Sequence, residues 1–304
     1  MSTPLRYNWK VVGNETALHQ LELDISSQNL AHAYIFSGPP AIGKRTIAVT
    51  LAHILQCEQD FCHECKTCMQ ISKGIHSETI EFRDDGEQLG IDPIRDLIVR
   101  MNLTPASKYK IVIIERAERM TPEAANCLLK MLEEPPPQTL FLLTTDTIRT
   151  ILPTVISRCR MLGLSLCEES ELMAFLQEKY TDVDAETLRL VTELSLGRPG
   201  VAFKILEDPD VMSFYTSLYR DLLRFFEFHN LFERLAYLQN FIEDKQRITI
   251  FLDMFTHLTR KKLLAQEGDS ARYIALLDAL TATQFSLRHN VNPRLALENL
   301  MISF

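Results

Sequence analysis

At 304 residues and a net charge of −8, the chain has room for two or three domains with cores of their own. Its acidic balance excludes a protein whose main work is coating nucleic acid, which needs a basic surface, though a local DNA-facing patch is compatible with it. Apolar residues at 46% and charged residues at 24% fit a soluble globular protein, and apolar runs such as Ile111 to Ile114 are too short to span a bilayer. Met1-Ser2-Thr3-Pro4 does not read as a signal peptide, so a cytoplasmic address is expected.

Ala33-Tyr34-Ile35-Phe36-Ser37 reads as a buried strand that runs straight into Gly38-Pro39-Pro40-Ala41-Ile42-Gly43-Lys44-Arg45-Thr46. A helix over Arg45 to Leu55 follows, with apolar Ile47, Leu51, Ile54 and Leu55 on one stripe. Strand, Gly-x₄-Gly-Lys and helix together predict a phosphate-binding loop whose backbone N–H groups wrap phosphate oxygens, with Gly38, Gly43 and Lys44 as its binding residues. The hydroxyl that should come next, to ligate Mg²⁺, is replaced by Arg45, and a guanidinium has no acceptor with which to hold a cation. Thr46 is a poor substitute, because one further residue along a helix turns the side chain by roughly 100°.

Four of the seven cysteines fall in the pattern Cys57-x₄-Cys62-x₂-Cys65-x₂-Cys68. In a reducing compartment this spacing points to a structural, tetrahedral Zn²⁺ site closed by four thiolates, not to disulfides. His63 is an alternative ligand, although the cysteines already fill the coordination sphere, and Lys66 and Lys73 would offset the negative charge. Cys127 and Cys167 are expected to be ordinary buried thiols.

Thr79 to Arg83, Ile111 to Glu115 and Leu140 to Thr145 are further short apolar strands. The second ends in Glu115-Arg116, where nucleotide hydrolases of this kind place Asp-Glu to hold Mg²⁺ and to activate water. Glu115 can replace the first carboxylate, but Arg116 accepts no proton and cannot replace the second. Thr121-Pro122-Glu123 opens a helix that carries Leu128, Leu129 and Leu132 and stops at Pro135-Pro136-Pro137. Strands alternating with helices imply a parallel sheet covered on both faces.

After Leu164 the strand signal fades into helices over Glu168 to Tyr180, Asp184 to Leu196 and Pro199 to Leu206. From Pro209 to Phe304 nearly everything reads as amphipathic helix, as in a packed bundle with no catalytic cluster. Ser157-Arg158-Cys159 carries no meaning on spacing alone, and His76, His229, His257 and His289 read as structural or surface histidines.

Together these pieces resemble the AAA+ clamp-loader family of bacterial DNA polymerase III. The resemblance is carried by Val12-Gly13, His32 to Gly38, the four cysteines and Asn126-Cys127-Leu128-Leu129-Lys130-Met131-Leu132-Glu133-Glu134-Pro135-Pro136. It continues in Leu152-Pro153-Thr154-Val155-Ile156-Ser157-Arg158-Cys159, Gly197-Arg198-Pro199-Gly200-Val201-Ala202 and Asn292-Pro293-Arg294-Leu295-Ala296-Leu297-Glu298. It implies an α/β AAA+ domain over 1–164 with a zinc knuckle at 57–68, a helical lid domain over 165–208 and an all-α collar over 209–304. It also implies that Arg158 acts in trans, as an arginine finger on the nucleotide of a neighbouring subunit. The family's sensor arginine is Gly200 here, and the position after Thr145, often asparagine, is Asp146. The expected protein is therefore a non-hydrolysing subunit with weak or absent ATP/ADP binding. Its implied partners are the motor (gamma/tau) and delta subunits, the sliding clamp and, through the complex, primed DNA. The alternatives are an active motor ATPase and a zinc-bearing scaffold that acts outside replication.

Overall fold

The computed structural model describes residues 4–59, 61–103, 107–226, 231–238, 244–266, 268–289 and 291–303, so His229 lies outside the described residues. Five strands, β1 (Ala33–Ser37), β2 (Thr79–Phe82), β3 (Lys110–Ile114), β4 (Thr139–Thr145) and β5 (Arg160–Gly163), form one sheet. Its order is β2-β3-β4-β1-β5, and every adjacent pair is parallel. Nearly unbroken apolar runs in β1, β3 and β4 fit this topology, because the three central strands are buried on both faces.

Alternate residues divide the core between those faces. Tyr34, Phe36, Ile111, Ile113 and Leu142 share one cluster with Leu18 and Leu21 of α1 (Glu15–Ser26), Ile47 and Leu51 of α2 (Lys44–Gln56) and Ile71 of α3 (Lys66–Ser72). Ile35, Val112, Ile114, Phe141 and Leu143 share the other with α4 (Ile91–Met101), α5 (Pro122–Glu133) and Val155 of α6 (Pro153–Ile156). The cap read from the sequence is present at α5, where the Ala124 N–H donates to Thr121 Oγ1 at 3.2 Å.

The chain forms two compact units, one of Met1–Asp184 with Gly197–Val201 and one of Ala185–Leu196 with Ala202–Phe304. The first contains the sheet and α7 (Glu169–Lys179). The second holds α8 (Ala185–Ser195), α10 (Pro209–Phe225), α11 (Leu231–Leu238), α12 (Lys245–Leu264), α13 (Ser270–Arg288) and α14 (Pro293–Ser303). The helix α9 (Pro199–Glu207) begins in the first unit and ends in the second. Asp208, Asp244 and Asp269 accept from backbone N–H groups at the starts of α10, α12 and α13. Phe225, Phe251 and Phe255 pack edge-on or tilted, with ring centroids 5.3 and 5.6 Å apart for the two pairs that share Phe255. No helix among the described residues is long and apolar enough to cross a membrane.

Candidate functional site

The glycine loop leaves the carboxyl end of β1 and enters α2, and its two glycines are required by close approach. A Cβ on Gly38 would lie 2.3 Å from the Leu164 carbonyl oxygen, and one on Gly43 2.7 Å from Val11 Cγ1. Gly43 also holds φ at 100°, a region that side chains rarely adopt. Lys44 then starts the helix with its side chain only 7% exposed. Its ammonium donates to the carbonyls of Gly38 at 2.7 Å and Pro39 at 2.6 Å, and pairs with Asp146 Oδ1 at 2.7 Å. Three acceptors match the three donors of an ammonium.

Asp146 follows β4 and is shared. Arg116 Nη2 donates to its Oδ2 at 2.5 Å, while Arg116 Nη1 donates to Asp84 at 3.2 Å. Burial pushes the Asp146 carboxyl up, but Lys44 and then Arg116 outweigh burial and hold it below its ordinary value. Burial draws Lys44 below its ordinary value against the pull of Asp146.

Arg45 makes a two-point contact with Glu81, Nε to Oε1 at 2.7 Å and Nη2 to Oε2 at 3.0 Å, and also pairs with Glu115. Burial raises both carboxyls, yet hydrogen bonds from Arg45 and Arg83 bring Glu81 below its ordinary value. Glu115 stays above its own, since neighbouring Glu81 adds to burial and outweighs the Asp84 N–H and Arg45. The guanidinium of Arg45 thus bridges two carboxylates, Glu81 in β2 and Glu115 just past β3. The Gly200 N–H donates to the Ala41 carbonyl at 2.9 Å, and a Cβ on Gly200 would sit 2.9 Å from the same oxygen. Gly200 thus makes a backbone contact onto the glycine loop.

Glu81, Asp84 and Glu118 belong to this network and were not singled out by motif. A signal for the first two was available. They lie at or just past the end of β2, and sites in parallel sheets form at the carboxyl ends of strands.

The four cysteine sulfurs lie within 4.8 Å of one another, with Cys57–Cys62 at 3.6 Å and Cys57–Cys65 at 4.0 Å. A tetrahedral zinc with metal–sulfur bonds of about 2.3 Å has sulfur–sulfur edges of about 3.8 Å, so the donor set fits. Backbone N–H groups of Cys62, Cys65 and Cys68 donate to the sulfurs of Cys57, Cys62 and Cys65 at 3.3–3.4 Å. Burial raises the Cys57 thiol, but the Cys62 and Gln59 N–H groups bring it down to about 7. His63 lies outside this cluster, with Nδ1 at 3.4 Å from Lys10 Nζ. Cys167 is buried and Cys127 only half-buried. His76 and His289 make local contacts, to Thr79 Oγ1 at 3.0 Å and the Phe285 carbonyl oxygen at 2.9 Å.

Arg158 follows α6 and is not part of the ion-pair network. Its Nη1 donates to the Thr154 carbonyl at 2.8 Å and to Ser157 Oγ at 3.2 Å, and its Nη2 donates to Glu133 Oε1 at 2.5 Å.

The sequence pattern of the family described as "DNA polymerase III, delta subunit" matches residues 13–167, half of the chain. The delta' subunit of DNA polymerase III from Pseudomonas aeruginosa is 34% identical over 58% of this chain and 56% of its own length. The tau subunit from Bacillus subtilis is 34% identical over 59% of this chain and 32% of its own length. The chain spans 32% to 58% of the length of four of the curated relatives it matches. A gamma-subunit-related protein of DNA polymerase III from Thermotoga maritima shares the fold, with a TM-score of 0.50 at 21% identity over 93% of this chain and 97% of that one. With strand, loop, helix and cysteine cluster in the order described, the chain belongs to the clamp-loader family of DNA polymerase III subunits.

Proposed function

We propose that this chain is the delta-prime subunit of the DNA polymerase III clamp loader, a non-hydrolysing stator that helps place the sliding clamp on primed DNA in the cytoplasm. The observation that carries this is the ion-pair network at the glycine loop. Lys44 is held by Asp146, and Arg45 bridges Glu81 and Glu115 where a metal ion would bind. A triphosphate would have to displace a carboxylate from Lys44 and would gain no magnesium ligand from Arg45, so ATP and ADP bind weakly or not at all. The AAA+ domain over 1–164 would carry the degenerate loop, the helices over 165–208 would form the lid, and the collar over 209–304 would join the motor (gamma/tau) and delta subunits. Cys57, Cys62, Cys65 and Cys68 would hold one structural Zn²⁺, which stabilises the 57–68 segment and takes no part in chemistry. Arg158, partly exposed at the end of a short helix, would reach the nucleotide of the adjacent motor subunit.

One observation favours a rival, an active motor ATPase: a tau relative is as similar to this chain as a delta-prime one. The two part company in one assay. The isolated chain should hydrolyse ATP no faster than background with Mg²⁺ present, and should complete a clamp-loading complex when mixed with motor and delta subunits. Turnover at a motor's rate, abolished by Lys44→Ala, would establish the rival instead.

A further inference from the structure

We propose that Glu133 is a latch for Arg158, holding its guanidinium on this chain until the nucleotide phosphates of a neighbouring subunit compete for it. The proposal rests on the assignment of Arg158 as a residue that acts in trans.

Glu133 is the last residue of α5, and Pro135-Pro136-Pro137 follow it, so its backbone position is fixed by the helix end. A carboxylate in the last turn meets the negative end of the helix dipole and is disfavoured there unless a cation faces it. Arg158 is that cation. Its Nη2 reaches Glu133 Oε1 at 2.5 Å, a short charge-assisted contact. The other side of the fork is held by its own turn, through Nη1 to the Thr154 carbonyl and Ser157 Oγ at 2.8 and 3.2 Å. The guanidinium therefore has one local anchor, which stays with α6, and one anionic partner on α5.

Exposure makes the anionic contact releasable. The Arg158 and Glu133 side chains are 32% and 49% exposed, a setting in which ion pairs hold weakly and are screened by salt. A phosphate offers more charge and several acceptor oxygens to the same fork, so it can displace a single carboxylate oxygen. The carboxylate thereby holds the arginine on its own chain before assembly, and raises the threshold for its engagement afterwards.

The latch is tested first in the isolated full chain. Phenylglyoxal modifies free guanidinium groups, and mass spectrometry reads the rate at each arginine. Glu133→Gln should speed modification of Arg158 about two- to fivefold, the range expected for release of an exposed ion pair. Arg95, 64% exposed and paired with Asp92 at 3.3 Å, should be unchanged and serves as the reference. Equal Arg158 rates in wild type and Glu133→Gln, in chains with matching circular dichroism, would overturn the latch. In a reconstituted loader, Glu133→Gln should lower the KM for ATP about two- to fivefold without lowering kcat. A lower kcat at unchanged KM would mean that Glu133 aims the arginine instead of restraining it, and would also overturn the proposal. If Arg158→Ala left the loader's ATPase unchanged, the trans assignment would fail, while the modification rates would still decide the latch.

Discussion

At Lys44, an ammonium group that a phosphate loop offers to nucleotide is shared among two loop carbonyls and the Asp146 carboxylate. Asp146→Asn would leave that buried charge with no paired carboxylate, only the field of nearby Glu118. This should cost about 2–4 kcal/mol, near the lower end for a broken buried pair because Glu118 remains and Asp146 keeps some solvent contact. Trp9, the single tryptophan and only 2% exposed, reports unfolding of the unit that holds the sheet. A urea titration followed by its fluorescence should show the loss as a lower midpoint. The pH dependence follows from the depressed Asp146 carboxyl. Its contribution is fully present above the unfolded value of about 4 and is lost as pH falls through the lower folded value. The deficit of Asp146→Asn relative to wild type should therefore be flat from about pH 5 to 8 and shrink below about pH 4.

Among the elements, the turn from β1 into the loop tolerates no side chain at its first glycine. Leu164 donates its N–H to the Ser37 carbonyl at 2.7 Å, and its own carbonyl oxygen lies where a Cβ on Gly38 would fall. Both sides of that contact are backbone, so Gly38→Ala should force the strands apart locally at a cost of about 1–3 kcal/mol, again read by Trp9. The cysteine segment is more separable. Cys62→Ser with Cys65→Ser should abolish a stoichiometry of one zinc per chain by elemental analysis while leaving most of the far-UV circular dichroism, because the sheet has its own two-faced core. Full zinc retention in that variant would refute the assignment of the metal ligands. These elements were unequally legible in the sequence. The central strands announce themselves as apolar runs, whereas β5, at the sheet edge, buries only Leu162 and leaves Arg160, Met161 and Gly163 exposed, so it gives little signal. The helix α4 shows itself only through Asp92-Pro93 at its start and Ile94, Leu97 and Met101 on one face, with no motif to mark it. Motif spacing and the family resemblance located Lys44, Arg45, Glu115, Arg116 and Asp146 but not which of them pair, nor Glu81, since those contacts are made only by the strand order of the sheet.

Across the whole molecule, the chain passes between its two compact units three times, after Asp184, Leu196 and Val201. The segment 165–208 is therefore divided between them, and α8 packs in the second unit with α10, which begins at Pro209. A chain ending at Asp208 should keep the sheet unit cooperative by Trp9 fluorescence, yet lose the helicity of α8 along with entry into the loader complex. Entry at the wild-type level would refute a collar role for residues beyond 208. Arg158 makes the opposite case, a residue whose proposed role lies outside its own chain. Its pair with Glu133 is exposed, so Arg158→Ala should change stability by no more than about 1 kcal/mol and leave complex formation intact. A finger in trans stabilises charge that develops on the transferred phosphoryl and is worth ~10³–10⁵ in rate at its own site. A loader with several active sites would lose only one of them, so the fall in clamp- and DNA-stimulated ATPase should be smaller than that range unless the sites fire in sequence. Arg158→Lys should rescue poorly, because an ammonium cannot reproduce the planar fork. Clamp loading by the Arg158→Ala complex at the wild-type rate across ATP concentrations would return Arg158 to the status of a surface arginine paired with Glu133.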